Sequence, residues 1–225
     1  MPFDLTYLLL IVASLVLGYG TQAYIKSQYN KFSKVSISSG LTGAQTARRM
    51  LDANGLADVP IRSIPGNLTD HFDPRSRVVS LSANVYEGRS VAATAVACHE
   101  CGHAVQHARD YAPAKIRSLL VPAVQLASNL WAIALMIGIV LNFLGLIWAA
   151  VGMYAAVLLF QLVTLPVEFN ASSRALAYIS LGGYLPDQET RGARKVLTAA
   201  ALTYVAGALL SVIQLIYILG RTRRR

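Results

Sequence analysis

His99-Glu100-Cys101-Gly102-His103 sits inside Ser90 to Ala108, an Ala-rich run that reads as one long helix. On a helix, side chains at i and i+4 project from one face, so His99 and His103 can grip a single ion. Glu100, one residue on, is close enough to that face to reach a water on the same ion. Two neutral imidazoles, a carboxylate base and an open coordination position are what zinc-assisted amide hydrolysis requires. The bland reading is an ordinary helix whose histidines are packed or solvated. The small residues around the motif, and a total of four histidines in the chain, favour the metal.

Outward from the motif the chain turns apolar. It is 55% hydrophobic and 14% charged, and the apolar residues come in blocks. Leu5 to Tyr24, residues 118–167 and Val196 to Gly220 carry no charge at all. A hydrocarbon core of about 30 Å takes roughly 20 helical residues. The first and last blocks are therefore one crossing each. The middle block would be about 75 Å long as a single helix, so a break around Asn142 to Gly145 is expected to fold it into a hairpin. Leu5 to Tyr24 has Asp4 where a leader would carry positive charge, and no Ala-x-Ala site precedes Ile25, so it reads as an uncleaved anchor.

The expected architecture is a mainly α membrane protein with four transmembrane helices and a small α+β catalytic region. Its parts are an anchor (1–25), a catalytic region with the motif helix (26–117) and a transmembrane hairpin (118–167). A further helix and loop (168–197) and a last transmembrane helix with a basic tail (198–225) complete the chain. Within the polar region, Leu41 to Asn54 has helical spacing, Thr42 as N-cap and Gly55 as a stop. Val59 to Ile64 is short and β-branched, and Pro65-Gly66-Asn67 and Asp73-Pro74-Arg75 are turn chemistry. Arg77 to Ser82 alternates like a half-exposed strand. Val78 to Ser82 is accordingly expected to offer an open sheet edge on which an extended peptide could pair.

The net charge of +9 raises nucleic acid as a partner. The cations, however, lie beside the apolar blocks: Lys26, Lys31, Lys34, Lys115, Arg117, Arg194, Lys195 and the tail. No aromatic residues interleave with them as base stacking would need. That pattern speaks for a lipid bilayer and against nucleic acid. Cations flanking the spans are more numerous on the catalytic side, which predicts a plasma-membrane protein with a cytoplasmic-facing active site. The tail arginines Arg221, Arg223, Arg224 and Arg225 argue the reverse.

Two imidazoles need a third protein ligand, with water as the fourth. His107 continues the spacing, but i and i+8 lie about 12 Å apart along a helix against zinc–nitrogen bonds of about 2 Å. It is expected to face substrate or simply to pack. Glu168 is the best remaining candidate, because a carboxylate closing an uncharged membrane block, just after Pro166, is costly unless paired or metal-bound. Ser172, one turn later, could orient a ligand. Glu87, Asp110, His71 and Glu189 are weaker candidates for the third position. Arg174, Tyr178 and His107 are candidate donors to an oxyanion. Cys98 and Cys101 form a C-x-x-C, but with no further cysteine they read as two small buried residues.

Three stretches carry a family resemblance: His-Glu-Cys-Gly-His-Ala-Val-Gln-His at 99 to 107, Tyr-Ala-Pro-Ala-Lys-Ile-Arg-Ser at 111 to 118, and Leu-Pro-Val-Glu-Phe-Asn-Ala-Ser at 165 to 172. With them the chain resembles the YugP-like membrane zinc metallopeptidases, which are distantly similar to HtpX peptidases. The resemblance extends over most of the chain, including the order of membrane segments. It implies a zincin-like catalytic region of gluzincin type, with His99, His103 and Glu168 as zinc ligands and Glu100 as base. The HtpX-type pattern has Asp four residues after the ligand Glu, where this chain has Ser172, so an orienting role for that position is not carried over.

The expected function is a membrane-bound zinc-dependent endopeptidase acting on peptides or proteins. The alternative is a non-enzymatic membrane scaffold with a structural metal, for which four protein ligands and no poised Glu100 would be the norm. A transporter is disfavoured, because the uncharged spans hold no polar track.

Overall fold

A computed structural model of the chain describes residues 5–181 and 185–222. Asp4, Arg223, Arg224 and Arg225 lie outside the described residues. In chain order the described elements are α1 (Leu5–Phe32), α2 (Gly43–Ala53), β1 (Ile61–Ile64), β2 (His71–Asp73), β3 (Val78–Ser82), α3 (Ala83–Tyr86), α4 (Val91–Ala108), α5 (Ala112–Val140), α6 (Leu144–Leu181) and α7 (Asp187–Thr222).

The helices α1, α5, α6 and α7 are long and apolar enough to cross a bilayer. They expose large apolar side chains such as Leu9, Val16, Leu119, Met136, Leu159 and Ile216, as a lipid-facing surface requires. The break between α5 and α6 falls where expected. Asn142 adopts φ 50°, Phe143 N–H donates to Gly138 O at 2.9 Å and Asn142 N–H to Ile139 O at 3.3 Å. That is the paired-bond helix stop, and asparagine tolerates its left-handed position.

Elsewhere the helices ignore the boundaries expected from charge. The first runs on to Phe32, and α6 continues from the hairpin straight through Pro166 and Glu168 to Leu181. Likewise α7 is one helix across residue 198. The appearance of charge marks where a helix leaves lipid, not where it ends. At 38 residues α6 is about 57 Å long, far more than one crossing needs. Its last turns therefore belong to the catalytic unit.

That unit is a three-stranded sheet with α2 and α4 packed around one core. Met50, Leu51, Val79, Leu81 and Val85 are fully buried there, each contributing on the order of 1.5–3 kcal/mol against an exposed reference. The sheet order is β1-β3-β2, with β3 parallel to β1 (Ile61 opposite Val79) and antiparallel to β2 (Phe72 opposite Val79). The strand Val78–Ser82 is thus central, and the expectation that it forms an open edge is corrected. Its serines look solvent-facing in sequence but are buried: Ser80 Oγ accepts from Arg62 Nε at 3.0 Å, and Ser82 Oγ donates to Asp70. An edge strand, β2, flanks it on the side of α4, and sequence alternation could not reveal it because it is only three residues long.

Local signals hold at α2. Thr42 Oγ1 accepts from Gln45 N–H at 3.1 Å, and Gln45 Oε1 accepts from Thr42 N–H at 2.9 Å, a complete capping box. At its other end Gly55 takes φ 76°, and Leu56 N–H donates to Leu51 O. Replacing Thr42 by Ala should cost about 1 kcal/mol of the catalytic unit's stability. Thr42→Ser should recover most of it, read as the thermal midpoint of the detergent-solubilised protein.

Candidate metal centre

Helix α4 is apolar over most of its surface because most of it is enclosed. Ala92, Ala95, Ala97 and Cys101 are fully buried, and small residues let α2, α6 and α7 approach. One such close approach is at Gly102. A Cβ there would lie 2.6 Å from Ala171 O on α6, so the two backbones touch. One turn before Gly102 is His99, and one turn before Ala171 is Glu168. The crossing therefore delivers Glu168 to the face on which His99 and His103 stand.

His99 Nε2 lies 3.3 Å and His103 Nε2 3.6 Å from the same oxygen, Glu168 Oε2. The imidazoles meet edge to face, with centroids 4.8 Å apart. Bonds of about 2.0–2.2 Å to a tetrahedral ion imply ligand–ligand separations of about 3.4 Å. Both histidine–carboxylate separations are near that spacing, and the three groups, with ligand atoms within 4.8 Å of one another, form a cluster able to hold a metal ion.

The remaining ring nitrogens are occupied, which fixes the face each imidazole presents. His99 Nδ1 meets Ser172 Oγ at 3.1 Å, and His103 Nδ1 meets Gln106 Oε1 at 3.0 Å. Gln106 in turn donates to Val167 O at 2.7 Å and to Asn170 Oδ1 at 3.0 Å, while Arg174 Nε donates to the same Asn170 oxygen at 2.8 Å. Nε2 is left to the metal on both rings. Ser172 thus contacts the His99 ring, and Arg174 joins the network behind His103.

Glu100 is buried and one of its oxygens, Oε2, accepts from Phe72 N–H on β2 at 3.0 Å. Phe72 turns its N–H to α4 rather than to β3, so Glu100 occupies the outward donor of β2. His107 sits beside Phe72, with ring centroids 5.8 Å apart, and outside the metal cluster. Three residues of the site went unassigned in the sequence. Arg117 Nη1 lies 3.4 Å from Glu168 Oε1, and Tyr204 on α7 directs its hydroxyl to Glu168. Gln106, three residues after His103 on one helix face, was within reach of sequence reasoning. Tyr204, in mid-span of an apolar block, gave no signal.

The weaker ligand candidates are engaged elsewhere. Asp110 pairs with Lys115, Glu189 accepts from Ser38 N–H, His71 bonds Thr69 O, and Glu87 is exposed beyond α3. Tyr178 packs against the core of the catalytic unit. Burial pushes the Cys98 thiol up to about 12, so it stays protonated and offers no thiolate. Cys101, equally buried, donates to Ala47 O at 3.5 Å.

A family described as "putative neutral zinc metallopeptidase" matches residues 7–223. The chain belongs to this family. A protein of Bacillus subtilis (strain 168) named "Putative membrane protease YugP" is 49% identical over 210 residues, 93% of each chain. No solved structure matches the chain. Zinc is thus the metal of the family, and the donor set found here, two imidazole nitrogens and a carboxylate oxygen, suits it.

Burial alone would depress the His103 imidazole. Its hydrogen bond to Glu168, the Glu100 and Glu168 charges and the Gln106 hydrogen bond outweigh that and hold it above its ordinary value. Metal requires the neutral ring, so protons compete from an unusually high pH. Zinc affinity, followed by chelator competition, should fall progressively as pH is lowered from 8 to 6. Gly102→Ala should force α4 and α6 apart, costing about 1–3 kcal/mol of stability. It should also lower bound zinc while leaving helix content intact, as read by elemental analysis and circular dichroism.

Proposed function

We propose that the chain is a membrane-embedded zinc endopeptidase of gluzincin type, in which His99, His103 and Glu168 hold the zinc and Glu100 is the general base. The observation that carries this reading is the convergence of both Nε2 atoms on one oxygen of a buried carboxylate. When bound there, zinc supplies Lewis-acid polarisation of the scissile carbonyl and a water acidic enough to deprotonate near neutral pH.

Glu100 does the proton work. Its Oε2 is pinned by Phe72 N–H, which leaves Oε1 to take a proton from the water and return it to the leaving amine. An extended peptide passes beside β2, the strand that flanks the base and whose outward Phe72 N–H is already held by Glu100, in place of the edge first expected at β3. His107 lines that path beside Phe72. Tyr204, a neutral donor directed into the site, serves the developing oxyanion. The catalytic end carries Lys26, Lys31, Lys34, Lys115 and Arg194, which supports a cytoplasmic-facing site in the plasma membrane.

The test is a pair of substitutions. Glu100→Gln should keep wild-type zinc and lose about 10²- to 10⁴-fold in peptide cleavage, while Glu168→Ala should lose the zinc itself. A Glu100→Gln protein that cleaves at the wild-type rate rules out this base. Wild-type protein loaded with zinc but inert toward unfolded casein and membrane-proximal peptides alike would point instead to the structural-metal reading.

A further inference from the structure

The membrane hairpin contributes two cations at the start of α5, and they go different ways. Lys115 pairs with Asp110 at 2.6 Å on the surface. Arg117 turns inward to Glu168, with Nη1 3.4 Å from Oε1. No charge follows it in the hairpin up to Glu168 itself. The bland reading of Arg117 is an interfacial cation that pairs with the nearest acid, as Lys115 does. Against this, Glu168 is almost wholly buried, with 5% of its side chain exposed, whereas Asp110 has 76% exposed.

The two oxygens of Glu168 are divided between partners on opposite sides. Oε2 faces His99 and His103, and Oε1 faces Arg117. A carboxylate free to rotate can close on a divalent ion with both oxygens, filling the position a water should occupy. One whose second oxygen is paired with a guanidinium is biased against doing so. We propose that Arg117 is a positioning residue of the metal centre. By holding Oε1 it makes Glu168 a one-oxygen ligand, keeps a coordination position open, and ties the coordination of the third ligand to the seating of α5 in the membrane.

This inference rests on the ligand set proposed above, and its test uses readouts other than cleavage. The full-length protein in detergent micelles is compared as wild type, Arg117→Gln, Arg117→Lys, Lys115→Gln and Glu168→Ala. Zinc affinity is measured by competition with a chromophoric chelator, and geometry by the visible absorption of the cobalt-substituted protein. Arg117→Gln should bind zinc about 10- to 100-fold more weakly. Its cobalt bands should change in position and intensity as the second carboxylate oxygen takes the place of water.

Arg117→Lys, which keeps the charge but not the fork, should fall between wild type and Arg117→Gln on both counts. Lys115→Gln should match wild type. A folded Arg117→Gln with wild-type affinity and spectrum overturns the inference. Should that variant fail to fold, an Arg117→Lys protein indistinguishable from wild type in both measurements overturns it instead. If Glu168→Ala loses zinc while Arg117→Gln does not, only this inference falls. If Glu168→Ala binds zinc normally, the ligand set falls with it.

Discussion

The backbone of α4 at Gly102 meets the backbone of α6 at Ala171 with no room for a side chain between them. Everything at the metal centre is registered from that crossing. Attraction between a carboxylate and two imidazoles does not organise such a site, since each group is well solvated when apart and loses that solvation when buried. Packing has to bring them together. The all-small surface of α4 does so, and the polar links then fasten it: Ser172 to His99, and Gln106 across to Val167 and Asn170. A net hydrogen bond is worth only about 0.5–1.5 kcal/mol. A buried polar group left unpaired costs more, so these links select the correct register more than they strengthen it.

Glu168 is the energetic pivot. A carboxylate with so little exposure carries a desolvation penalty of several kcal/mol. Two imidazoles and a guanidinium are gathered around it to offset that penalty. Without a metal the buried carboxylate favours the protonated His103 ring; a dication takes the proton's place. Metal binding and folding of the catalytic unit are therefore coupled. The absence of a thiolate fits the same logic. Cys98 and Cys101 lie next to the ligands in sequence, but on faces of α4 turned into the core, where burial keeps the Cys98 thiol protonated.

Much of this could be read from the residues, and the exceptions have physical causes. The four apolar helices, the hairpin turn at Asn142, the N-cap at Thr42 and the coupling of His99 with His103 are encoded within a few residues of one another. Glu168 was legible because a lone acid at the end of a 50-residue uncharged stretch is conspicuous. Where α6 and α7 end was not, because helix persistence depends on tertiary cover and charge depends on solvent. The central position of β3 was misjudged because buried serines with partners look, in sequence, like exposed ones. Arg117 and Tyr204 reach Glu168 from α5 and α7, 51 and 36 residues away along the chain, and only the assembled bundle brings them there.

The length of α6 also says where the centre stands relative to lipid. Counted from Leu144, about 20 residues fill a 30 Å hydrocarbon core, which ends near Thr164. Glu168 follows about one turn later, some 6 Å farther along the axis. With Leu144 taken at one face of that core, Glu168 falls at the opposite headgroup region, where a charge is affordable and a water can be supplied. A soluble protease must build such an environment entirely from protein. Here the bilayer surface closes one side of it, and α5, through Arg117, enters the centre from that side. A polypeptide lying on the membrane surface would meet the β2 edge and Glu100 without leaving the interface.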